Sequence, residues 1–348
     1  MNERPSSSTS ELFGGTYARG RVTGEVSDTA WVQAMLDVEH ALGGPALAAE
    51  DIDIAELGRL AAEHASAAVP LARRFPATHT GATSQDIIDT AMMLVSARAL
   101  GPLLQDAAAA SRAAARLARA HRVTPVMGRT LLQEAVPTSL GLKAAGWMTA
   151  IGEAIVELRA VPLAVQMGGP VGQRDPTVAT RVAERLGLAA PVIPWHTDRI
   201  RPARLACALG LLGGALAKVA RDITLSTVLR EGDSDPEHPR GGSSAMAHKR
   251  NPVAAVSVLA CSKRIPGLVA TMLATMEQEH ERAAGAWQAE WGTLTDLLRL
   301  TGSAAAWGRD LLEHLQVDTA AATSSAGANP DLGFAGELVD RALKTHDR

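Results

Sequence analysis

Aromatic side chains are scarce in this chain of 348 residues: Trp, Phe and Tyr together make up 3% of it, with a single tyrosine. Sheets draw on aromatic and β-branched residues, so this scarcity weighs against a β protein. Cysteine is nearly absent, which excludes a disulfide scaffold. Cys207 and Cys261 sit in apolar, helix-like stretches and read as reduced core thiols. No Cys/His spacing suits a metal, and neither a metal nor an organic cofactor is implied. Neither sign of charge dominates, with 34 Lys and Arg against 37 Asp and Glu. A nucleic-acid partner is therefore not expected. A small anionic substrate stays open, because local cations decide that. Residues 1–10 are polar and Ser-rich without an apolar core, so they do not read as a secretory signal. The longest apolar run, 205–217, is too short and too Gly-rich to suggest a bilayer span. A cytoplasmic protein with no membrane partner is expected.

What the chain does have is a 47% hydrophobic content carried by Ala, Leu, Val and Met. Such residues favour close-packed helices. At this length roughly 75% of the unfolded chain's surface can be buried. Ser27 and Asp28 are N-cap candidates for a helix with Trp31, Met35, Val38 and Leu42 on one face, stopped by Gly43-Gly44-Pro45. A second helix is expected over about 54–72, then a loop around 75–81. A helical pattern follows from Ser84 to His121, with a break expected at Gly101-Pro102. Residues 127–137 read as an irregular segment entering a helix over about 138–160. Gly168 to Gly172 reads as a tight turn. Apolar periodicity over 202–230 predicts a helix roughly 43 Å long. Residues 231–251 form a polar, Gly-rich break before helices over 253–281 and 287–315. The tail holds a loop at 322–330 and one short helix. The fold class is all-α, a bundle of long antiparallel helices. A helix like 202–230 cannot easily cover its apolar surface within one chain, which points to oligomers.

Chemistry concentrates in the breaks. The most informative is Gly241-Gly-Ser-Ser-Ala-Met-Ala-His-Lys-Arg-Asn-Pro252. Two glycines before two serines let the backbone bend and aim N–H groups at an anion. Lys249 adds a cation, Asn251 adds amide hydrogen bonds, and Pro252 suits the start of a helix. A serine among such donors could act as a base through a stabilised alkoxide. A solvated loop is the plainer reading of composition alone. Thr83 and Ser84 offer hydroxyls and the positive end of a helix dipole, as any N-cap does.

The string 242–251 resembles the signature of the fumarase/aspartase superfamily, in the form found in its adenylosuccinate lyase and carboxymuconate cycloisomerase branches. Ala247 stands at the usual proline position. His79-Thr-Gly-Ala-Thr-Ser-Gln-Asp86 is similar to the family's first signature region, whose Thr-Ser pair binds a substrate carboxylate. The resemblance thus implies substrate contacts at Thr83, Ser84 and Gln85. Gly128-Arg-Thr-Leu-Leu-Gln133 resembles the second region and implies Arg129, Thr130 and Gln133. Leu131 stands where fumarases and adenylosuccinate lyases carry a histidine. Three further strings are similar to bacterial 3-carboxy-cis,cis-muconate cycloisomerases: Tyr17-Ala-Arg-Gly-Arg21, Pro194-Trp-His-Thr-Asp-Arg199 and Glu279-His-Glu-Arg-Ala-Ala-Gly-Ala-Trp-Gln-Ala-Glu-Trp291. The resemblance runs from about residue 12 to 345.

That branch implies intramolecular addition of a carboxylate to a double bond of 3-carboxymuconate, in protocatechuate catabolism by the β-ketoadipate pathway. Its nucleophile is already part of the substrate, so the missing histidine is least surprising there. Ser243 would move the proton, with Ser244 as the fallback, and Lys249 completes the catalytic set. Asn251 and Arg282 would stabilise charge; for Arg282 an ion pair with Glu279 or Glu281 is the alternative. Arg21 fits a substrate contact or a solvated loop equally. His196 reads as slightly more structural, and Trp287 and Trp291 as core. The family implies a homotetramer with sites shared between subunits and a small anionic tricarboxylate as substrate. It also implies three parts: an N-terminal helical domain at 1–100, the bundle at 101–315, and a remnant of a truncated C-terminal domain at 316–348. Alternatives are a fumarate-releasing lyase such as adenylosuccinate lyase, and a non-catalytic helical scaffold.

Overall fold

A computed structural model describes every residue except 1–10, 75–78, 80, 234–236, 238–239, 247, 328 and 348. The Ser-rich arm, most of the loop expected around 75–81, and Ala247 lie outside the described residues. Helix α1 (Asp28–Ala41) is capped by Ser27, whose Oγ accepts from the Ala30 N–H at 3.2 Å. Helix α2 (Ile54–His64) is capped by Asp53 and ends where Ala65 turns left-handed. Helix α3 (Ala68–Arg74) precedes α4 (Ser84–Ala120), which has 37 residues. Strands β1 (Pro125–Thr130) and β2 (Gln133–Ser139) form an antiparallel hairpin that leads into α5 (Leu140–Arg159). Then come α6 (Pro176–Leu186), α7 (Ile200–Leu225), β3 (Leu229–Glu231), α8 (Val253–Ala274) and α9 (Ala286–Glu313). Strand β4 (Leu315–Val317) pairs antiparallel with β3, and α10 (Thr319–Ala326) and α11 (Ala335–His346) follow.

The chain divides into two compact units, each built from three separate stretches. The first holds 1–102, 160–210 and 265–300; its core includes Met35 and Leu36 of α1, Met92 and Met93 of α4, and Leu297 of α9. The second holds 103–159, 211–264 and 301–348, with Leu103, Met148, Leu216, Val258 and Ala304 in its core. Buried alanines are numerous in both cores as well, which is how a chain poor in aromatics still packs tightly.

Several expectations need correction. Helix α4 continues through Gly101-Pro102. A mid-helix proline costs about 3 kcal/mol, but Leu103 and Ala107 just beyond it are fully buried and hold the helix together. Residues 127–137 are an ordered hairpin, not an irregular segment. The helix expected at 202–230 stops at Leu225, and β3 takes up the remainder. The helix expected to reach 281 ends at Ala274; just beyond it the Thr275 hydroxyl bonds the Met272 carbonyl and Glu290. The tail contains two helices rather than one. The run at 205–217 understated the apolar helices: α4, α7 and α8 are each long and apolar enough to cross a membrane by length and composition.

Helix α5 starts hard against the end of α4. A Cβ on Gly141 would lie 2.6–2.8 Å from the His121 and Ala118 carbonyl oxygens and the Arg122 Cα. Those atoms are backbone and cannot swing aside. Gly141→Ala should therefore lose about 1–3 kcal/mol in denaturant unfolding. Gly58→Ala, on the open face of α2 with nothing within 4 Å, should gain about 0.5–1 kcal/mol.

Candidate active site

In the first unit, polar groups gather at the N-terminus of α4. Its positive end favours an anion. Thr83 precedes the helix and Ser84 opens it, both half-buried. Arg282, from the segment between α8 and α9, donates to Thr83 Oγ1 at 2.9 Å, to Gln85 Oε1 at 2.6 Å, and to the Gly169 carbonyl. All three acceptors are neutral, and no carboxylate forms an ion pair with Arg282 among the described residues. The ion pair with Glu279 or Glu281 does not form. Burial pushes the Arg282 guanidinium below its ordinary value, while Asp86 and Asp89 pull it back up. A half-buried cation held by neutral oxygens, beside two hydroxyls and a helix N-terminus, is an arrangement that a carboxylate would complement.

Asp86 fixes the shape of this cluster. Its carboxylate accepts from the N–H groups of Thr83, Gly168 and Gly169 and from Gln166 Nε2, at 2.9–3.2 Å. Gln166 Oε1 in turn accepts from the Trp195 and His196 N–H groups. Below lies a buried ion triad: Arg199 donates to Asp89 at 2.7 and 3.0 Å and to Glu290 at 2.5 Å. Burial alone would lower Arg199, but the two carboxylates hold it above its ordinary value; burial raises Glu290 against the pull of Arg199. Trp287 donates to Asp89 at 2.9 Å and is core as expected; Trp291, which it meets edge-on, is half-buried. His196 is locked by its backbone, whose carbonyl accepts from Gln85 and Arg199. Its ring lies against Gly168, and its Nε2 is buried without a partner. Sequence reasoning missed Asp86, Asp89, Gln166, Arg199 and Glu290. The signal was charge at helical spacing inside an otherwise buried helix start.

The second unit carries the serine loop. Ser243 Oγ accepts from the N–H groups of Ala245 at 3.3 Å and Met246 at 3.1 Å. No hydrogen bond reaches Ser244 Oγ among the described residues, and that side chain is exposed. Lys249 is exposed, its N–H bonded to the Met246 carbonyl. Asn251 closes the loop: its N–H at 2.8 Å and its Nδ2 at 3.1 Å both donate to the Gly241 carbonyl. Gly241 has φ +76°, and a Cβ there would fall 2.2 Å from the Asn251 carbonyl oxygen. Ala247 lies outside the described residues.

The hairpin places Thr130 opposite Gln133 across a two-residue turn of Leu131 and Leu132. Arg129 lies on β1, 3.5 Å from Glu134. A cavity of about 650 Å³ beside the hairpin is lined by Arg129, Lys143, Trp147, Lys218 and Asp222, among others. It includes no residue of the serine loop. Burial lowers the Lys143 amine, opposed by Asp222. Arg21, in the first unit, is exposed at the start of a short turn, Val22–Glu25. The candidate residues therefore divide by unit. Arg21, Thr83, Ser84, Gln85 and Arg282 belong to the first; Arg129, Thr130, Gln133, Ser243, Ser244, Lys249 and Asn251 belong to the second.

A lyase family model matches residues 73–267, more than half of the chain. The chain is 40% identical to the 3-carboxy-cis,cis-muconate cycloisomerase of Bradyrhizobium diazoefficiens, over 91% of this chain and 79% of that protein. It is 37% identical to the nitrosuccinate lyase of Streptomyces davaonensis, over 85% of this chain and 73% of that protein. The crystal structure of a 3-carboxy-cis,cis-muconate lactonizing enzyme from Pseudomonas putida superimposes with a TM-score of 0.87 and 30% identity. That match covers 97% of this chain and 99% of the other.

Burial first, and the Arg282 charge second, hold His196 below its ordinary value of 6.5; Asp86, Asp89 and Glu281 oppose them. As the pH falls the unfolded chain takes up this proton first. The stability from a neutral His196 is complete above about 6.5 and is lost as the pH drops toward the folded-state value. Urea midpoints at pH 7.5 and 5.5 should show a loss in the wild type that shrinks in His196→Gln. Equal pH slopes in the two proteins would remove this account.

Proposed function

The chain belongs to the lyase family, and on that premise we propose that it interconverts 3-carboxy-cis,cis-muconate and carboxymuconolactone. The observation that carries this reading is the 40% identity, across 91% of the chain, to a protein named for that reaction. In the lactonising direction a substrate carboxylate oxygen forms the new C–O bond to the conjugated double bond. The π pair moves to the carbon beside another carboxylate, giving an enolate-like anion. Ser243 Oγ delivers its proton to that carbon, and in reverse the Ser243 alkoxide removes it. The two N–H groups aimed at Ser243 Oγ would stabilise that alkoxide, which supports Ser243 over Ser244. Thr83, Ser84, Gln85 and Arg282 hold a substrate carboxylate, with Lys249 and Asn251 against the developing charge. Arg21, Arg129, Thr130 and Gln133 complete the substrate contacts. The nucleophile is intramolecular and ionised, so positioning can supply much of the rate. This fits a hairpin tip with Leu131 where a proton-carrying side chain would otherwise stand.

We further propose a cytoplasmic homotetramer whose sites are shared between subunits. The support is apolar surface: Leu211, Val256 and Leu273 on α7 and α8 are about half exposed. In the most apolar stretch of α8 only 33% is buried. A second reading, a lyase acting on a substituted succinate with the same serine as base, draws on the 37% identity to nitrosuccinate lyase.

Mixing the protein with 3-carboxymuconate should bleach the conjugated-diene absorbance. Loss of nitrosuccinate instead, with no bleaching, would reverse the order of the two readings. Ser243→Ala should lower kcat about 10²–10⁴-fold with the fold intact. Arg282→Gln should raise KM about 10–100-fold, the worth of a charged hydrogen bond. Light scattering should give a tetramer; a monomer that turns over at full rate would rule out the shared site.

A further inference from the structure

The Asn251–Gly241 hydrogen bonds close the neck of the serine loop from within, and a second set of contacts holds it from outside. The helix after the loop, α8, has no local side-chain cap, because the residue at its cap position is Pro252, whose carbonyl accepts from the Val256 N–H but whose side chain carries no acceptor. The cap comes from 23 residues upstream. Glu231 of β3 accepts from the Ala254 N–H at 2.9 and 3.0 Å and from the Ala255 N–H at 3.2 Å. The same carboxylate lies 3.8 Å from Arg240, the residue immediately before the loop. Arg240 is itself fixed to α9: it bonds Asp310 at 2.5 Å, and its guanidinium lies 5.5 Å over the Trp307 ring. Glu231 is buried, and β3 is pinned to β4 through the Glu231–Leu315 register.

We propose that Glu231 is the positioning residue of the 241–251 loop: one buried carboxylate ties Arg240, before the loop, to the N-terminus of α8, after it. The neck then stays closed and Ser243, Lys249 and Asn251 keep their mutual geometry. This rests on the proposed role of that loop. The groups facing Glu231 are Arg240 and Asp310, and His314 lies 3.0 Å from Asp310. Two carboxylates share one guanidinium. Burial raises the Glu231 carboxyl, helped by Asp310 and opposed by the α8 N–H groups and Arg240. On acidification Glu231 therefore protonates earlier than an ordinary glutamate, and the charge-assisted cap weakens with it.

The test is Glu231→Gln in the full-length chain, read two ways. Hydrogen exchange without substrate should speed up across 241–251 by about tenfold or more, while α5 stays protected. With 3-carboxymuconate, kcat should fall about tenfold or more, and the Kd of tricarballylate, an inert tricarboxylate, should change less than about threefold. The acid limb of the wild-type kcat profile should flatten in the variant. Arg240→Lys, which keeps the charge but loses the fork, should fall between the two proteins and stands in if Glu231→Gln does not fold. Unchanged loop exchange, or equal loss of tricarballylate binding and kcat, would overturn the proposal. An enzyme inert toward 3-carboxymuconate whose loop exchange still rises would overturn the functional reading and leave the neck assignment standing.

Discussion

The first unit depends on one buried interaction, the grip of Arg199 on Asp89 and Glu290. All three side chains are nearly inaccessible. Burying charges is costly, and a triad with two acids and one base leaves a net negative charge inside the protein. What stabilises it is saturation with donors. Trp287 donates to Asp89, Thr275 and Gln278 donate to Glu290, and Gln85 donates to Asp89. Removing one member would leave an unpaired buried charge, at about 3–5 kcal/mol. The triad's outer layer is also the inner layer of the anion cluster. Gln85 bonds Asp89 with its amide N–H and Arg282 with its oxygen. The placement of Arg282 is thus inherited from a charge network that never meets solvent.

The two units hold their clustered polar groups in place by different means. The first uses depth: Arg282 is set by neutral acceptors that rest on buried carboxylates. The second uses backbone: Ser243 is set by its own loop's N–H groups, and the loop by its neck. The first arrangement is stiff because the carboxylates beneath it are buried and saturated with donors. The second is exposed along much of its length, so its order has to come from its ends. Placing Glu231 on a strand, with its carboxylate against a helix N-terminus, supplies that order from outside the loop.

How far this was legible in the sequence depends on how local each feature is. The N-caps at Ser27 and Asp53 and the start of α4 at Ser84 are local signals, and the first and last of them are identified from the sequence. The strings around Thr83 and Ser243 were legible because glycine, hydroxyl and charge fall at tight spacing. Pro102 misled because its local cost is outweighed by burial along α4, which no short window contains. The hairpin was missed because its turn is Leu131-Leu132 rather than a glycine-bearing pair. The two links of the Arg199 triad span 110 and 91 residues, so only the fold reveals it. The Glu231 cap is hidden for the same reason, since a cap is normally sought beside its helix.

The Leu131-Leu132 turn combines backbone strain with apolar exposure. Both residues have positive φ, 49° and 66°, a conformation that costs a non-glycine residue about 1–3 kcal/mol. Their side chains are 96% and 75% exposed. A tip that is both strained and apolar gains nothing from water. On the proposed reading of sites shared between subunits, the same features become favourable: covering two leucines returns about 1.5–3 kcal/mol each, enough to offset the strain. A leucine-capped tip would bring no group that transfers protons and would help exclude water. An intramolecular carboxylate needs no activated water, whereas adding water to a double bond does. The chemistry proposed for this chain is therefore the kind that tolerates, and benefits from, a dry and unreactive hairpin tip.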